Sequence, residues 1–353
     1  MSRRIEAIYH CCILDVTRLR ILVAVARHGS VTAAARALNY AQPSVSHHLA
    51  RLEAETGARL TQRSGRGIQL TEAGRLLAGR AEEILGRLDA AERELAAHVE
   101  QRQERIRLAG FASALATIVP AALSRLAAGH PGIDLLLAEA EPPEAMRMLR
   151  AGQVDVALVV RHMQDGSPVG PVAGAEGART RLILDEQVHL VTRQPPGGAA
   201  GSGRAGSSQA DGAQPGGAGE APSPDLTAHA HSAWIAGCEQ CRGHLIWLCQ
   251  HAGFSPKIAF TTDDHVAAQA LVAAGLGVTI LPGLAINAAR HPGIHAQPVP
   301  GAWRQVFAVT YGQPPDPRAV DHLLDILTLA AAATTGVPGP RAPSTSSAGA
   351  RVT

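Results

Sequence analysis

The sequence predicts a mixed α/β protein made of consecutive parts. Three observations support this prediction. First, residues 13–73 show apolar residues at helical spacing and end in a short Gly-rich hairpin pattern. Second, a heptad pattern covers the next thirty or so residues. Third, strand and helix patterns alternate from residue 105 onward. Because 353 residues exceed the length of one ordinary domain, we expect each change of pattern to mark a domain boundary.

Composition and charge exclude several protein classes. Hydrophobic residues make up 46% of the chain but aromatic residues only 3%, so alanine, leucine and valine must fill the cores. We find no run of eighteen apolar residues and no signal peptide at the start, and five cysteines do not suggest a disulfide framework. These features predict a cytoplasmic protein with no membrane span. The net charge is only +2, but residues 13–73 carry eight arginines against four acids, 8 − 4 = +4, which suits contact with phosphates.

Three helices are predicted in the first part. Leu19, Leu22, Val23 and Ala26 have helical spacing, and Gly29 ends that helix. Ser30 is a suitable N-cap for a second helix over residues 31–38. A third helix follows a short turn, with proline in its first turn, and it ends at about residue 56, before a glycine.

A small wing and a long helix follow. The stretch "ARLTQRSGRGIQLTEAG" predicts a strand, a Gly-rich turn and a second strand, after which Thr71 caps the long helix. That helix is predicted over residues 72–105. Its heptad seam consists of Leu77, Ala81, Ile84, Leu88, Ala91, Leu95 and His98. Such a seam favours dimerisation, and the alternative is a single helix packed on its own domain.

The polar start of the third helix indicates a contact surface. "NYAQPSVSHHLARLE" places Ser44, Ser46, His47 and His48 on its first turns. A recognition helix in the major groove of DNA uses such side chains to meet base edges and phosphates, and the wing arginines Arg63 and Arg66 would reach the flanking backbone. The alternative is that both serines cap a surface helix and both histidines are merely solvated.

The rest of the chain predicts an α/β sheet with helices on both faces, and ligands of such folds lie beyond the carboxyl ends of strands. We predict that residues 194–225, rich in Gly, Ala, Ser and Pro, form a disordered insertion. The tail, residues 337–353, is predicted to be disordered as well.

These residues match a known family. The motifs Gly29-Ser30, Ala34-Ala35, Gln42-Pro43-Ser44-Val45-Ser46, Leu52-Glu53, the basic wing from residue 63 to 67, and Leu70-Thr71-Glu72-Ala73-Gly74 resemble the winged helix-turn-helix of LysR-type transcriptional regulators. "VDVALVV" and "LVAAGLGVTILP" resemble the effector domain of the same family. The resemblance covers roughly residues 13–335. Thr61 stands where the family usually has Phe, and His47 and His48 stand where an Arg is common.

The resemblance implies five parts. They are an N-terminal extension (1–12), a winged helix-turn-helix DNA-binding domain (13–73), a linker and dimerisation helix (74–104), a periplasmic-binding-protein-like (type 2) effector domain (105–336) and the tail (337–353). Within the effector domain, subdomain I would comprise 105–161 and 312–336, and subdomain II 162–311. The implied protein is a dimer or tetramer that binds promoter DNA, contacts RNA polymerase and responds to a small molecule held between the subdomains, with no cofactor and no catalytic activity.

The resemblance also implies which residues form the two sites. The DNA-binding set is Thr32, Ala33, Gln42, Pro43, Ser44, Ser46, His47, His48, Arg51, Arg63 and Arg66. The effector-binding set is Ala112, Ser113, Ala114, Glu141, Pro142, Val160, Arg161, His162, Gly237, Cys238 and Asp264. Ser113 and Gly237 lie at predicted helix N-termini, where free N–H groups attract an anion, and Arg161 would add a charge. A small carboxylate effector is therefore our hypothesis, although Glu141, Asp263 and Asp264 oppose a strongly anionic ligand unless they face solvent.

A cysteine and histidine cluster leaves three interpretations open. "CEQCRGHLIWLCQH" contains Cys238, Cys241, His244, Cys249 and His251. Cys238 and Cys241 lie within one helical turn, which suggests a metal site or a redox switch. The third interpretation is that they are small buried side chains beside surface histidines, because the spacing matches no standard zinc pattern.

Two other function classes compete with a regulator. An α/β enzyme is disfavoured because the chain has no GxGxxG, P-loop, G-x-S-x-G or HExxH motif. An exported solute-binding protein would share the effector fold, but it would need an export signal and would not carry the N-terminal module.

Overall fold

The computed structural model describes residues 14–64, 67–100, 104–170, 172, 174–175, 177–195, 224–312 and 316–335. These residues form two compact units: unit 1 runs up to Glu104 and includes Arg147–Asp155, and unit 2 contains Arg105–Met146 and the chain from Val156 onward. Each unit is described separately below. In this part of the chain, no helix is long and apolar enough to cross a membrane.

Unit 1 begins with the three predicted helices, α1 (Val16–His28), α2 (Val31–Ala37) and α3 (Gln42–Thr56). Their ends follow the predicted signals. Gly29 and Gly57 end α1 and α3 in the left-handed conformation, with φ of 68° and 67°, and the Ser30 side chain accepts a hydrogen bond from Ala33 N at the start of α2. Buried apolar side chains from all three helices share one core: Leu22, Val25, Val31, Ala34, Val45, Leu49 and Leu52.

The wing and the long helix complete unit 1. Strands β1 (Thr61–Ser64) and β2 (Gly67–Leu70) pair antiparallel, and Thr71 Oγ1 accepts a hydrogen bond from Gly74 N at the start of α4 (Glu72–Glu100). The turn residue Arg66 lies outside the described residues, as does the predicted extension 1–12.

Some residues of the α4 heptad seam are buried within unit 1, and others are exposed. Near its start, Leu77 and Ala81 pack with Leu85 against Leu19 and Val23 of α1, so this half of the helix does pack on its own domain. Two other seam residues, Ile84 and Leu95, expose 43% and 64% of their surface. Apolar side chains this exposed are consistent with a partner surface, so dimerisation stays a prediction.

A close backbone contact lies within unit 1 on the other side of α4. A Cβ built at Gly86 would lie 2.4 Å from the carbonyl oxygen of Arg150 and 2.7 Å from Gly152 N. Gly152 itself has a φ of 63°, and a Cβ there would lie 2.5 Å from Gly86 O. Both positions therefore require glycine, because any side chain would force α4 and the turn at residues 150–152 apart.

Unit 2 is built on a seven-stranded mixed sheet. Its order is β10 (Thr279–Pro282), β7 (Ala178–Arg193), β11 (Ile294–Tyr311), β5 (Val156–Gln164), β3 (Glu104–Gly110) and β4 (Ile133–Glu139), with β6 (Ser167–Pro168) paired to β5. β11 pairs antiparallel with both β5 and β7, whereas β3 pairs parallel with β5. A second sheet contains two parallel strands, β8 (Ala233–Ala236) and β9 (Lys257–Thr261).

Helices cover these sheets. They are α5 (Ala112–Leu115), α6 (Ile118–Gly129), α7 (Pro142–Arg150), α8 (Glu239–His251), α9 (His265–Ala273), α10 (Gly283–Ala288) and α11 (Arg318–Thr335), with a 3₁₀ turn at Leu226–His229. One core lies under α6 and α11 and includes Leu108, Leu158, Val306, Leu323 and Leu327. A second surrounds the fully buried Trp234, whose Nε1 donates to His229 O at 3.1 Å.

The predicted α/β class is confirmed, although several individual elements differ from those expected. The first half of β11 and the short helix α10 were not predicted. The predicted insertion, 194–225, lies mostly outside the described residues, which resume at residue 224, and so does the predicted tail, 337–353. The subdomain boundaries within unit 2 stay predictions.

Candidate functional site

The first candidate site is the exposed face of α3. Val45, Leu49 and Leu52 face the core at spacings of four and three residues. The opposite face therefore carries exposed Gln42, Pro43, His47 and Arg51, with Ser44, Ser46 and His48 half-buried beside them. Thr32 is exposed near the start of α2, next to half-buried Ala33. The polar residues predicted on α3 therefore all lie outside its buried stripe, and their role stays a prediction.

The capping interpretation of the two serines is wrong. The N-cap of α3 is Ala41, and no side chain caps this helix. Ser46 Oγ instead accepts a hydrogen bond from Gln42 Nε2 at 3.3 Å. An exposed side chain-to-side chain contact of this kind leaves donor and acceptor capacity on both groups for a ligand.

The wing is held to α3 by one carboxylate. Glu53 Oε1 accepts hydrogen bonds from Leu60 N at 2.8 Å, Thr61 N at 2.8 Å and Thr61 Oγ1 at 3.0 Å. The hydroxyl of Thr61 thus forms a polar contact where the family usually has Phe. Arg63 lies farther along β1, opposite Ile68, and is exposed. Glu53 therefore fixes the position of the wing, and of Arg63, relative to the exposed polar face of α3.

Replacing Glu53 with alanine should lower the stability of unit 1. A carboxylate that accepts three hydrogen bonds contributes about 2–3 kcal/mol, and its loss leaves two buried N–H groups unpaired. Urea unfolding of the full chain would measure the stability change. Asp89→Ala is the matched control, because the ion pair of Asp89 with Arg20 is exposed and its loss should cost less than about 0.5 kcal/mol. Equal effects of the two changes would contradict the anchoring role.

The second candidate site is a cleft inside unit 2. It encloses about 750 Å³ of space between its walls, including the open mouth. Its walls are formed by residues that follow strands β3, β4, β8 and β9 and by residues of β5, β10 and β11: Phe111, Ala112, Ser113, Glu141, Pro142, Val160, Ala236, Gly237, Cys238, Cys241, Thr262, Asp263, His265, Thr279, Leu281 and Arg304, among others. The cleft therefore lies where α/β folds usually bind ligands.

Arg304 is the polar centre of the cleft. Its side chain is 5% exposed, and Nε donates to Glu186 Oε1 at 2.6 Å. Nη2 lies 3.2 Å from Ser113 Oγ, and the guanidinium lies 4.9 Å from the centre of the Phe111 ring. Glu186 Oε2 also accepts a hydrogen bond from Leu284 N at 2.7 Å. The buried charge pair is thus satisfied on both sides, as buried ions require.

Strand register explains why these groups meet. Arg304 on β11 is directly opposite Glu186 on β7 and directly opposite His162 on β5. Residues that are opposite each other in antiparallel pairs project to the same face of a sheet. Glu186, Arg304 and His162 therefore form one polar row across three central strands.

Two imidazoles extend this row. The ring centroids of His162 and His244, which lies on α8, are 4.1 Å apart. Both residues are buried, and neither ring nitrogen of His244 has a hydrogen-bond partner among the residues that the structure describes. Burial lowers the pKa of His244 to about 4 and lowers the pKa of His162 well below its usual value, and the positive charge of Arg304 acts in the same direction. Both rings are therefore neutral at pH 7.

One wall of the cleft carries acid and thiol groups. Burial raises the pKa of Glu141, and a nearby Asp263 carboxylate adds to this, whereas a hydrogen bond with the Cys238 thiol lowers it. Burial also lowers the pKa of His265. Among the described residues, no group of three or more His, Cys, Asp or Glu side chains has an arrangement that would hold a metal ion.

The structure places seven of the predicted effector residues in the cleft lining: Ala112, Ser113, Glu141, Pro142, Val160, Gly237 and Cys238. Ala114, Arg161, His162 and Asp264 do not line it. Asp264 instead caps α9, where its Oδ1 accepts hydrogen bonds from Val266 N and Ala267 N. Ala114 is fully buried in the core beneath.

The expectation that Arg161 supplies a positive charge to the cleft is wrong. Arg161 donates to Gln305 Oε1 at 2.6 Å and lies over the Phe307 ring, whereas Val160, one residue earlier, lines the cleft. Successive side chains of a strand point to opposite faces, so Val160 and Arg161 cannot both face the cleft. The guanidinium in the cleft belongs to Arg304. No sequence signal marked it, because the register of β11 depends on contacts distant in sequence.

Comparisons with known proteins match both the N-terminal and the C-terminal part of the chain. Residues 16–75 match the profile described as "Bacterial regulatory helix-turn-helix protein, lysR family", and residues 100–194 and 213–332 match "LysR substrate binding domain". The chain is 27% identical over 290 residues to the uncharacterized regulator YcgK of Bacillus subtilis, covering 80% of this chain and 83% of that protein. It is 36% identical over 201 residues to the regulator CfxR of Cupriavidus necator, covering 52% and 62%.

A solved structure shares the fold. The crystal structure of full-length CbnR in complex with its target DNA superimposes with a TM-score of 0.54 at 22% sequence identity, covering 90% of this chain and all of that one.

Proposed function

We propose, given that the chain belongs to the LysR family of DNA-binding transcriptional regulators, that α3 reads the operator and that a small ligand with one carboxylate binds in the cleft of unit 2 and modulates regulation. The observation that supports the DNA-reading role is the exposed polar face of α3, with Gln42 at its N-terminus and Arg51 two turns later. Residues at the N-terminus of a recognition helix are those that reach base edges.

Three groups in the cleft favour a carboxylate. Ser113 offers a hydroxyl, Arg304 offers N–H donors, and Gly237 and Cys238 lie at the N-terminus of α8, a thirteen-residue helix. The ion pair with Glu186 cancels much of the charge of Arg304, and Glu141 and Asp263 add negative charge nearby. We therefore propose a ligand with a single carboxylate and a hydrogen-bond donor at its other end.

Assembly and partners follow from the same membership. The exposed half of the α4 seam supports self-association as a dimer or tetramer, because Ile84 and Leu95 would be covered in a paired helix. Two recognition helices would then match a near-palindromic operator. We propose RNA polymerase as a further partner and the cytoplasm as the location, since a regulator acts where the chromosome is transcribed.

Two substitutions should distinguish residues that contact the DNA bases from residues that contact the DNA phosphate backbone. Gln42→Ala should reduce the preference for the operator over unrelated DNA by about tenfold, because one good base contact contributes about 1–3 kcal/mol. Arg63→Ala should weaken binding to all DNA alike and reduce the salt dependence by about one phosphate contact. Gel-shift titrations on operator and scrambled DNA measure both effects. Gln250→Ala, an exposed change on α8, is the control. A uniform loss for Gln42→Ala would contradict the base-reading role.

Ligand binding is tested by thermal unfolding in the presence of small carboxylates and their matched amides. A carboxylate that binds should raise the unfolding temperature, and its amide should not. Ser113→Ala should abolish this shift while leaving DNA binding intact. Equal shifts from an acid and its amide would contradict the carboxylate proposal.

A further inference from the structure

We infer that Cys238 and Cys241 form a reversible dithiol–disulfide couple in the wall of the cleft, so that the cleft has a reduced and an oxidised state. The inference that this changes regulation rests on the proposed function of the cleft. The disulfide chemistry itself depends only on the placement of the two thiols.

The two cysteines occupy one helical turn at the start of α8. Cys238 is the N-cap, and Cys241 is the third residue of the helix. Both line the cleft, and both are partly exposed. A Cβ built at Gly237 would lie 3.3 Å from Cys241 Cβ and 3.9 Å from its sulfur, so Cys241 folds back over the chain that carries Cys238. The two thiols are close enough for each to shift the pKa of the other.

Neighbouring groups shift the pKa values of the two thiols in opposite directions, and this gives the two sulfurs different roles. The hydrogen bond from Cys238 lowers the pKa of the Cys241 thiol, and the charge of Arg304 lowers it further, while burial opposes both. The same hydrogen bond raises the pKa of Cys238, since the pair shares one proton. Cys241 is therefore the nucleophile, because the thiolate is the reactive form. Glu141, whose pKa is influenced by the Cys238 thiol and which lines the same wall of the cleft, is placed to accept the second proton.

A third cysteine provides an internal contrast. Cys249 lies on the same helix but is fully buried, and burial raises the pKa of its thiol to about 12. A buried thiol with a raised pKa is inert. Of the three cysteines that the structure describes, only the pair at the helix N-terminus should therefore be reactive.

The reaction is thiol–disulfide exchange with a small disulfide such as oxidised glutathione. The Cys241 thiolate attacks one sulfur of glutathione disulfide, the sulfur–sulfur bond breaks, and one glutathione thiolate leaves. Cys238 then loses its proton to Glu141 and attacks the Cys241 sulfur of the mixed disulfide, and the second glutathione thiolate leaves. The two cysteines lose two electrons, glutathione disulfide gains them, and the two thiol protons end on two glutathione molecules.

Oxidation changes the wall of the cleft. The disulfide removes the thiol proton that Cys238 shares with Glu141, so this carboxylate loses the hydrogen bond that lowers its pKa. The first turn of α8, whose N–H groups we assign to carboxylate recognition, becomes covalently closed. Redox state and ligand binding are thereby linked at one helix end.

The chain is well suited to a direct test by peptide mass spectrometry. Trypsin releases residues 205–242 as one peptide that contains both Cys238 and Cys241, and residues 243–257 as another that contains Cys249. The full-length protein is equilibrated in glutathione buffers of varied ratio, free thiols are alkylated, and the peptides are weighed without reduction. As the buffer becomes oxidising, we expect the 205–242 peptide to change from the dialkylated form to a form that carries no alkyl group and is two hydrogen atoms lighter than the free dithiol. Reduced glutathione should restore the dialkylated form.

Matched variants define the outcomes. Cys249→Ser should leave unchanged the glutathione ratio at which half of the 205–242 peptide is oxidised. Cys238→Ser should abolish the internal disulfide and leave a stable glutathione adduct on Cys241. The inference is overturned if the 205–242 peptide keeps two alkylatable thiols in glutathione disulfide alone, or if Cys249 pairs instead. A gel shift on the reduced protein tests the proposed function separately, so failure of one does not imply failure of the other.

Discussion

Replacing Arg304 with methionine should destabilise unit 2 by about 3–5 kcal/mol, because it leaves the Glu186 carboxylate buried without its partner. Glu186 is 3% exposed, so water cannot replace the guanidinium. The remaining hydrogen bond from Leu284 N satisfies one oxygen only. The loss should appear in urea unfolding as a lower midpoint with little change in slope.

Two controls isolate the buried charge as the cause. Arg105→Met removes an arginine whose ion pair with Asp134 is exposed, and it should cost less than about 1 kcal/mol. The double variant Arg304→Met with Glu186→Leu should recover much of the lost stability, since replacing a buried ion pair with apolar groups is often nearly neutral. If the double variant is less stable than Arg304→Met alone, the orphaned carboxylate is not the cause.

Acid should destabilise unit 2 through the histidine pair. In the unfolded chain His244 takes up a proton near pH 6.5, whereas in the folded protein it does so only near pH 4. Stability is therefore full above pH 6.5, falls as the pH is lowered between these values, and then levels off, with a total loss of about 3 kcal/mol from this group. His162, whose pKa is lowered in the same direction, adds to the loss.

The His244→Leu variant tests this directly. It should lose less stability than the wild type between pH 6.5 and pH 4.5, measured by urea unfolding at each pH. The groups that face His244 support this expectation: the charge of Arg304 opposes a positive charge on His244, the neighbouring His162 is neutral, and Glu186 is already paired with Arg304. His251→Leu is the control, because that ring is exposed and stacks on Trp247. Identical pH profiles for His244→Leu and His251→Leu would rule out the buried pair.

The N-terminal unit was predictable because its signals are local. Ser30, Gly29 and Gly57 act through hydrogen bonds and backbone conformation within a few residues, and the structure shows each at the expected helix end. The α4 seam was only partly predictable. Its spacing identifies an apolar face, but it does not say that the first turns pack on α1.

Cleft residues could be predicted where they follow the end of a strand. They could not be predicted where their position depends on how two distant strands pair. Ser113, Glu141 and Gly237 follow strands, and the sequence pattern locates strand ends well enough. Arg304 reaches the cleft only because β11 pairs with β5 and β7 in one particular register. The first half of β11 was missed for a related reason, since Pro298, Pro300 and Gly301 argue against a strand, and the pairing with β7 shifts register between Pro298 and Trp303.

The central claim is that this chain is a sequence-specific DNA-binding regulator, and a gel-shift titration tests it most directly. Purified full-length protein would be titrated against the DNA upstream of its own gene and against scrambled DNA, at two salt concentrations. We predict a tight shift on the upstream DNA that weakens steeply with salt and exceeds the shift on scrambled DNA at both concentrations. Equal binding to both DNAs, or none by a folded protein, would contradict the claim that α3 reads an operator.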